Sequence, residues 1–310
     1  MKFTPSQIFS RLYVGFYVII GYCGYFLRSI GPKSIVGGIS ALALLLGVVF
    51  TLDTDPSLSG NDALNKGYDH QNSGNINDAH SSFELALDFY EEKQDRRAML
   101  HTLRLLGDSD LSLNKHDAAL YHYEGALRLA QQLDFKKSQI NLLAKHGDVK
   151  LRIGRVNAAR AHYYDAVKIS QDINSFDDTG ALFTKVGNLE RDIGNDRRAR
   201  FAYRSAMENY ADHSNTLGKA TLHWNIGVLE NKMENYDAAL SSYVLARDLF
   251  KTSGNVNNEA TVTKHMARLE KNYGSREKAE SYYSEAATLY ASVGNTQALE
   301  ELKNEVEQPL

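Results

Sequence analysis

The chain of 310 residues has one cysteine, Cys23, and four prolines. A single thiol excludes an intrachain disulfide and leaves no cysteine pair for a metal site. The prolines are Pro5, Pro32, Pro56 and Pro309, so residues 57–308 contain none. Such a stretch permits long helices joined by Gly/Asn/Asp turns, and alternating strand-like runs are missing from it. Acidic side chains are absent from residues 1–52. Basic stripes are absent everywhere, and the net charge is −3, which argues against nucleic acid as a partner. There is no phosphate loop, no HExxH helix and no nucleophile elbow. His101, His116 and His122 show no ligand spacing, and His146 sits in an otherwise apolar column as a packed core histidine. No enzymatic activity, cofactor or metal is expected.

Residues 1–60 read as a membrane anchor and linker. Ser34 to Leu52 is an uncharged run centred on Ala41–Phe50. At about 1.5 Å per residue it covers roughly 28 Å, close to the hydrocarbon thickness of a bilayer, so residues 34–52 are expected to form a transmembrane helix. Residues 12–27 form a second, shorter uncharged run crowded with tyrosine and glycine. It could cross, lie at the interface, or pack on another membrane subunit. Arg28 and Lys33 precede the longer run, while Asp53 and Asp55 follow it. The positive-inside bias then places the remainder of the chain on the non-cytoplasmic side, a periplasm or intermembrane space, the alternative being a cytoplasm-facing body.

From Asn61 to Glu300 the sequence falls into six repeats of equal length: 61–100, 101–140, 141–180, 181–220, 221–260 and 261–300. The seventh column reads Gly67, Gly107, Gly147, Gly187, Gly227, Ala267; the nineteenth and twenty-sixth are alanine throughout. The twenty-third is Phe83, then Tyr123, Tyr163, Tyr203, Tyr243 and Tyr283. Within a unit, Leu142, His146, Val149 and Ile153 fall on one helical stripe. A turn follows at Gly154, matched by Gly74, Gly194 and Gly274, with Asn114 able to replace glycine and Glu234 a departure. Asn77, Asp117, Asn157 and Asp237 are expected to cap a second helix, which carries the alanine and tyrosine columns. Each unit is therefore a helix–turn–helix, and units of this kind bury a core only by stacking. The tyrosine column reads as core; Tyr121, Tyr164, Tyr236 and Tyr282 are expected on the convex or inter-repeat surface.

The pattern Gly147…Gly154…Ala159…Tyr163…Ala166 resembles the tetratricopeptide repeat, in the longer form of Pins-type adaptors and kinesin light chains. The resemblance implies an all-α, right-handed superhelical array over residues 61–300. A capping helix over residues 296–310 would set Ala298, Leu299, Leu302 and Val306 on the last repeat and Glu300, Glu301, Lys303, Glu305 and Glu307 in water. It also implies that first helices line a concave groove for a protein segment. The groove residues would be Tyr68, Arg104, Asp108, Asp148, Arg152, Asn188, Arg191, Trp224, Lys264, Arg268 and Lys271. Arg191, Lys232, Lys264, Arg268 and Lys271, opposed by Asp192, favour an acidic or C-terminal-carboxylate segment. Trp224 is either a groove anchor or packed beneath one. The expected function is a membrane-tethered adaptor for assembly or quality control of a membrane complex; the alternative is a constitutive structural subunit of such a complex. The expected partners are accordingly a protein segment, the bilayer and membrane-protein subunits.

Overall fold

The computed structural model describes residues 59–210 and 215–307. The expected membrane segments at 12–27 and 34–52 lie outside them, as do residues 308–310. Among the described residues no helix is long and apolar enough to cross a membrane. These residues form thirteen helices and no strand. They are α1 Gly60–Asn72, α2 Ile76–Glu92, α3 Arg96–Ser112, α4 His116–Gln132, α5 Lys136–Arg152, α6 Val156–Asp172 and α7 Phe176–Asp192. The others are α8 Asp196–Tyr210, α9 Thr216–Lys232, α10 Tyr236–Thr252, α11 Val256–Tyr273, α12 Arg276–Ser292 and α13 Thr296–Glu307. From α2 onward the helix starts are evenly spaced, so one repeat period is two helices and two turns. The hairpins start at Arg96, Lys136, Phe176, Thr216 and Val256, slightly ahead of rows counted from Asn61. Each odd-numbered helix packs on the next even one, and each even helix on the first helix of the following hairpin. The result is a TPR-like superhelical stack.

The turns are paced as regularly as the helices. Gly74, Gln94, Asn114, Asp134, Gly154, Asn174, Gly194, Glu234, Gly254 and Gly294 all have positive φ. At each, the following amide reaches back to a carbonyl in the last turn of the helix, as in Arg155 N to Lys150 O at 2.8 Å, which closes a Schellman motif. Glu234 adopts φ +59° like the glycines, so the backbone of the turn prevails over the preference of the side chain. Gly274, expected to be left-handed, instead has φ −125°. There α11 runs one residue further, and a Glu270 carboxylate oxygen accepts from Ser275 N at 2.9 Å. The space beside Gly274 is filled by that carboxylate, so a Cβ would collide with it. The expected caps also move: Asn77, Asp117, Asn157 and Asp237 lie inside the first turns of α2, α4, α6 and α10, which have no side-chain cap. Side-chain caps precede the first helices α1, α3, α9 and α11, by Ser59, Asp95, Asn215 and Asn255, and the second helix α12, by Ser275.

Two columns of the repeat interlock inside each hairpin. A Cβ built on Gly107, Gly147, Gly187 or Gly227 would lie 2.3–2.5 Å from the nearest ring carbon of Tyr123, Tyr163, Tyr203 or Tyr243 respectively, closer than contact allows. Each glycine is thus a seat for the aromatic side chain on the second helix of its own hairpin. In the last repeat Ala267 replaces glycine, and Tyr283 is 7% exposed against 0–2% for the other four tyrosines. The nineteenth- and twenty-sixth-column alanines are buried throughout.

A second fit was not anticipated. Gly60 lies 2.8 Å (Cβ position to ring) from Tyr90, and Gly180 lies 2.7 Å from Tyr210. At the same two columns Leu100 clusters with Ala130, Ala220 with Phe250, and Ala260 with Tyr290. Ile140 and Ser170 occupy these columns in the third hairpin, and both are buried. Large side chains on the second helix therefore match small ones on the first, and small match large, so the pair conserves volume rather than identity.

The surface tyrosines divide. Tyr121 and Tyr164 are exposed, Tyr236 stacks on Tyr273 with centroids 3.5 Å apart, and Tyr282 packs between the last two core clusters. In α13, Leu302 is buried and Ala298 and Leu299 pack beside it as expected, whereas Val306 is exposed. Glu305 is only partly exposed and is bonded to the body of the stack, as described below.

Candidate partner-binding face

First helices of successive hairpins touch one another, α5 with α7 and α7 with α9, and together line one face. In three hairpins the eighth column of the first helix meets the hydroxyl of its own tyrosine. Tyr123 donates to Asp108 at 2.6 Å, Tyr163 to Asp148 at 2.7 Å, and Tyr203 to Asn188 at 2.7 Å. Burial, and then the neighbouring carboxylates, push the hydroxyls of Tyr123 and Tyr163 far above the usual phenol range, so both remain donors. The same carboxylates accept a lysine from the next hairpin: Lys145 reaches Asp108 at 2.7 Å, and Lys185 reaches Asp148 at 2.8 Å. Arg104 adds a contact to Asp108 at 3.3 Å. The tyrosine seat, the carboxylate and the next repeat's lysine thus form one rung, which occurs twice. Between α3 and α5 a cleft of about 290 Å³ opens beside His101, Arg104 and Asn141.

The C-terminal half is arranged differently. Arg191 bonds Asp192 at 3.0 Å, the Tyr203 hydroxyl at 3.4 Å and Asn225 at 3.1 Å. Lys232 donates to Asp196 at 2.8 Å and to the Arg191 carbonyl at 3.0 Å. Arg268 makes a two-pronged pair with Glu305 of α13, both bonds 2.6 Å, and Tyr283 donates to the same carboxylate at 2.9 Å. Burial raises the Glu305 carboxyl, but the Arg268 and Tyr283 hydrogen bonds outweigh it and hold it below the ordinary range. The basic surplus read from the sequence is therefore answered by Asp196 and Glu305 as well as Asp192. Lys264 lies over the Tyr290 ring at 5.9 Å, Lys271 is half-buried, and Arg152 is exposed. Tyr68 bonds His101 at 2.5 Å. Trp224 packs edge-on to Phe250 and beside His265, with its indole N–H buried and without an acceptor.

Two imidazoles under this face make the stack acid-sensitive. Burial, then neighbouring positive charge, lowers His265 to about 4; burial, then His162, lowers His146 to about 4. The ordinary value is 6.5, so between these limits the native state binds fewer protons than the unfolded chain. Stability is fully present above about pH 6.5 and declines as pH falls towards 4. His265 contributes a loss on the order of 2–3 kcal/mol. Urea denaturation at pH 7 and pH 4.5 should show this difference, and His265→Phe should remove part of it.

The sequence model of the family described as soluble NSF attachment protein, SNAP, matches residues 149–307, just over half of the chain. The chain belongs to that family. No curated protein matches it in sequence. Among solved structures, BtubC (BKLC) from P. vanneervenii is similar at 19% identity, over 78% of this chain and 93% of that one, with TM-score 0.59. The apo form of RapI is similar at 14% identity, over 79% and 95%, with TM-score 0.63. A Rap protein complexed with competence and sporulation factor is similar at 11% identity, over 79% and 73%, with TM-score 0.57. At these identities the likeness is one of fold.

Of the residues singled out from the repeat pattern, Arg104, Asp108, Asp148, Asn188, Arg191 and Arg268 lie in this bonded array. Trp224 belongs to the hydrophobic packing around α10. Of the side chains that engage them, Lys145 and Lys185 were not singled out and Glu305 was expected in water; Asp196, which bonds Lys232, was not singled out either. Lys145 and Lys185 occupy the same column of successive repeats, each 37 positions after its aspartate. A search for charge pairs at one repeat minus a helical turn finds both, and finds Arg268 with Glu305.

Proposed function

We propose that the chain is a membrane-tethered adaptor that holds a segment of a partner protein along its first-helix face, from Arg104 to Lys271. The supporting observation is that the polar side chains of this face are already fixed by the tyrosine–carboxylate–lysine rungs and by the Arg268–Glu305 pair. A partner then binds without bearing the entropy of ordering them. A structure of similar fold, the Rap protein, is complexed with competence and sporulation factor. An acidic or C-terminal-carboxylate segment would approach Lys264 and Lys271 and compete with Glu305 for Arg268. Anchoring through residues 34–52, with the repeats on the non-cytoplasmic side, would raise the effective concentration of adaptor at the membrane. Such a tether suits assembly or quality control of a membrane complex.

Full-length chain carrying Arg191→Glu, Lys264→Glu and Arg268→Glu should retain the partner at least about tenfold more weakly, the loss of one or two charge-assisted contacts. Glu305→Gln, which releases Arg268, should retain it more strongly. Unchanged retention by the triple variant would exclude the basic end of the face. A second reading follows from the description of the matched family, in which residues 149–307 would attach NSF. Retention of NSF by the immobilised full chain would favour it, and fixed stoichiometry with membrane subunits would favour a constitutive structural role.

A further inference from the structure

Outside the first-helix face, the twentieth column of one repeat meets the tenth column of the next. In the middle of the stack this slot holds an arginine and a carboxylate. Arg160 bonds Glu190 at 2.5 Å, and Arg200 bonds Glu230 at 2.7 and 3.1 Å. Asn195 and Asn235 complete these carboxylates, at 2.9 and 2.8 Å. Between the first and second repeats the slot is filled otherwise. The carboxylate is Asp110 on α3, 1% exposed, and the groups facing it are imidazoles: His80 from α2 and His122 from α4. His80 Nε2 lies 3.0 Å from one Asp110 oxygen, and His122 Nδ1 lies 2.7 Å from the other. At the column of Asn195 and Asn235 the second repeat has Lys115, whose backbone amide turns back to the Asp110 carbonyl.

We propose that His80, Asp110 and His122 form a binding site for one divalent transition-metal ion, zinc in the first instance. Three observations carry this. One donor atom from each residue lies within 4.8 Å of the other two, and metal bonds of about 2.0–2.2 Å need donor separations of roughly 3–4.3 Å. Although near Asp110, His80 Nε2 is buried and makes no hydrogen bond, while its Nδ1 faces the Glu84 carboxylate at 3.7 Å. An ion bound at Nε2 would leave Nδ1 to carry the proton on the side of the Glu84 carboxylate, the arrangement found where outer carboxylates orient ligating histidines. Finally, a carboxylate this deeply buried needs a compensating positive charge, which arginine supplies in the two later slots. Two imidazoles and one carboxylate suit zinc and its neighbours rather than magnesium or calcium, which require oxygen donors. The ligands come from three helices, so the ion would clamp the first hairpin onto the second and leave a coordination position for water.

The test uses the full-length chain, stripped with a chelator and titrated with zinc against a chromophoric competitor, with magnesium as control. One zinc per chain should bind, magnesium should not compete, and the melting temperature should rise with zinc. His80→Arg recreates the pair seen at Arg160 and Glu190, so it should fold and melt at least as high as the metal-free parent. Its zinc affinity should fall by at least about 100-fold, the upper end of what loss of an outer-shell partner alone produces. His122→Gln should lose affinity likewise. Absence of a one-to-one zinc complex in the parent, or equal zinc binding by parent and His80→Arg, would overturn the site and leave a structural His–Asp–His bridge.

Discussion

Gly147→Leu is expected to destabilise the stack by at least about 3 kcal/mol, the upper range of overpacking in a core that cannot relax. The Cβ alone would occupy the space of the Tyr163 ring, and three further carbons leave the ring no seat. Displacing Tyr163 also breaks its 2.7 Å bond to Asp148 and disturbs the rung to Lys185. Gly147→Ala should cost only about 1 kcal/mol, because Ala267 already faces Tyr283 in the last repeat with a small rise in exposure. Urea denaturation of both variants tests the seat. Because repeat arrays open locally, hydrogen exchange should show the loss concentrated in α5 and α6. Equal melting of Gly147→Leu and the parent would remove the glycine–tyrosine seat from the account.

The next largest effect is expected at the size-matched pair. Ala130→Tyr places a phenol where Leu100 already fills the space, and should cost about 2–3 kcal/mol. Combining it with Leu100→Gly reproduces the Tyr90–Gly60 and Tyr210–Gly180 arrangement. The double variant should recover at least about 1 kcal/mol relative to the sum of the single changes, a coupling typical of residues in direct contact. Strict additivity would mean that the two columns do not share a volume.

The seat and the size-matched pair were not equally visible in the sequence. Glycine, alanine and tyrosine columns recur in register because their roles admit few residue types, with Ala267 and Phe83 the two departures, and they yielded the helical hairpins directly. The size-matched pair alternates Gly with Leu and Tyr with Ala, so neither column looks constant from row to row, and only their correlation carries information. Helix ends were misjudged where the turn imposes its own backbone: Glu234 takes the left-handed conformation and Gly274 does not. The phase of the hairpins could not be read from a pattern that is periodic wherever counting begins. On the binding face, Asp108 and Asp148 were recognised by position. Their engagement was hidden, because the tyrosine and lysine that bind them lie 15 and 37 residues away. Glu305 was placed in water on the strength of an acidic tail, whereas Arg268 and Tyr283 draw it onto the stack. The His80–Asp110–His122 cluster escaped notice for a related reason: its ligands sit on three different helices, at a spacing that no short metal motif has.

The central claim, that a partner segment lies along the first helices, is tested most directly by site-specific photocrosslinking in the full-length chain. Photoreactive residues would replace Arg104, Arg191 and Lys264 on the first-helix face, and the exposed Tyr121 and Phe201 on second helices. The account predicts one discrete crosslinked protein from the first three positions, reduced by Arg268→Glu, and none from the last two. Crosslinks to the same protein from Tyr121 and Phe201, with none from Arg104, Arg191 or Lys264, would contradict it.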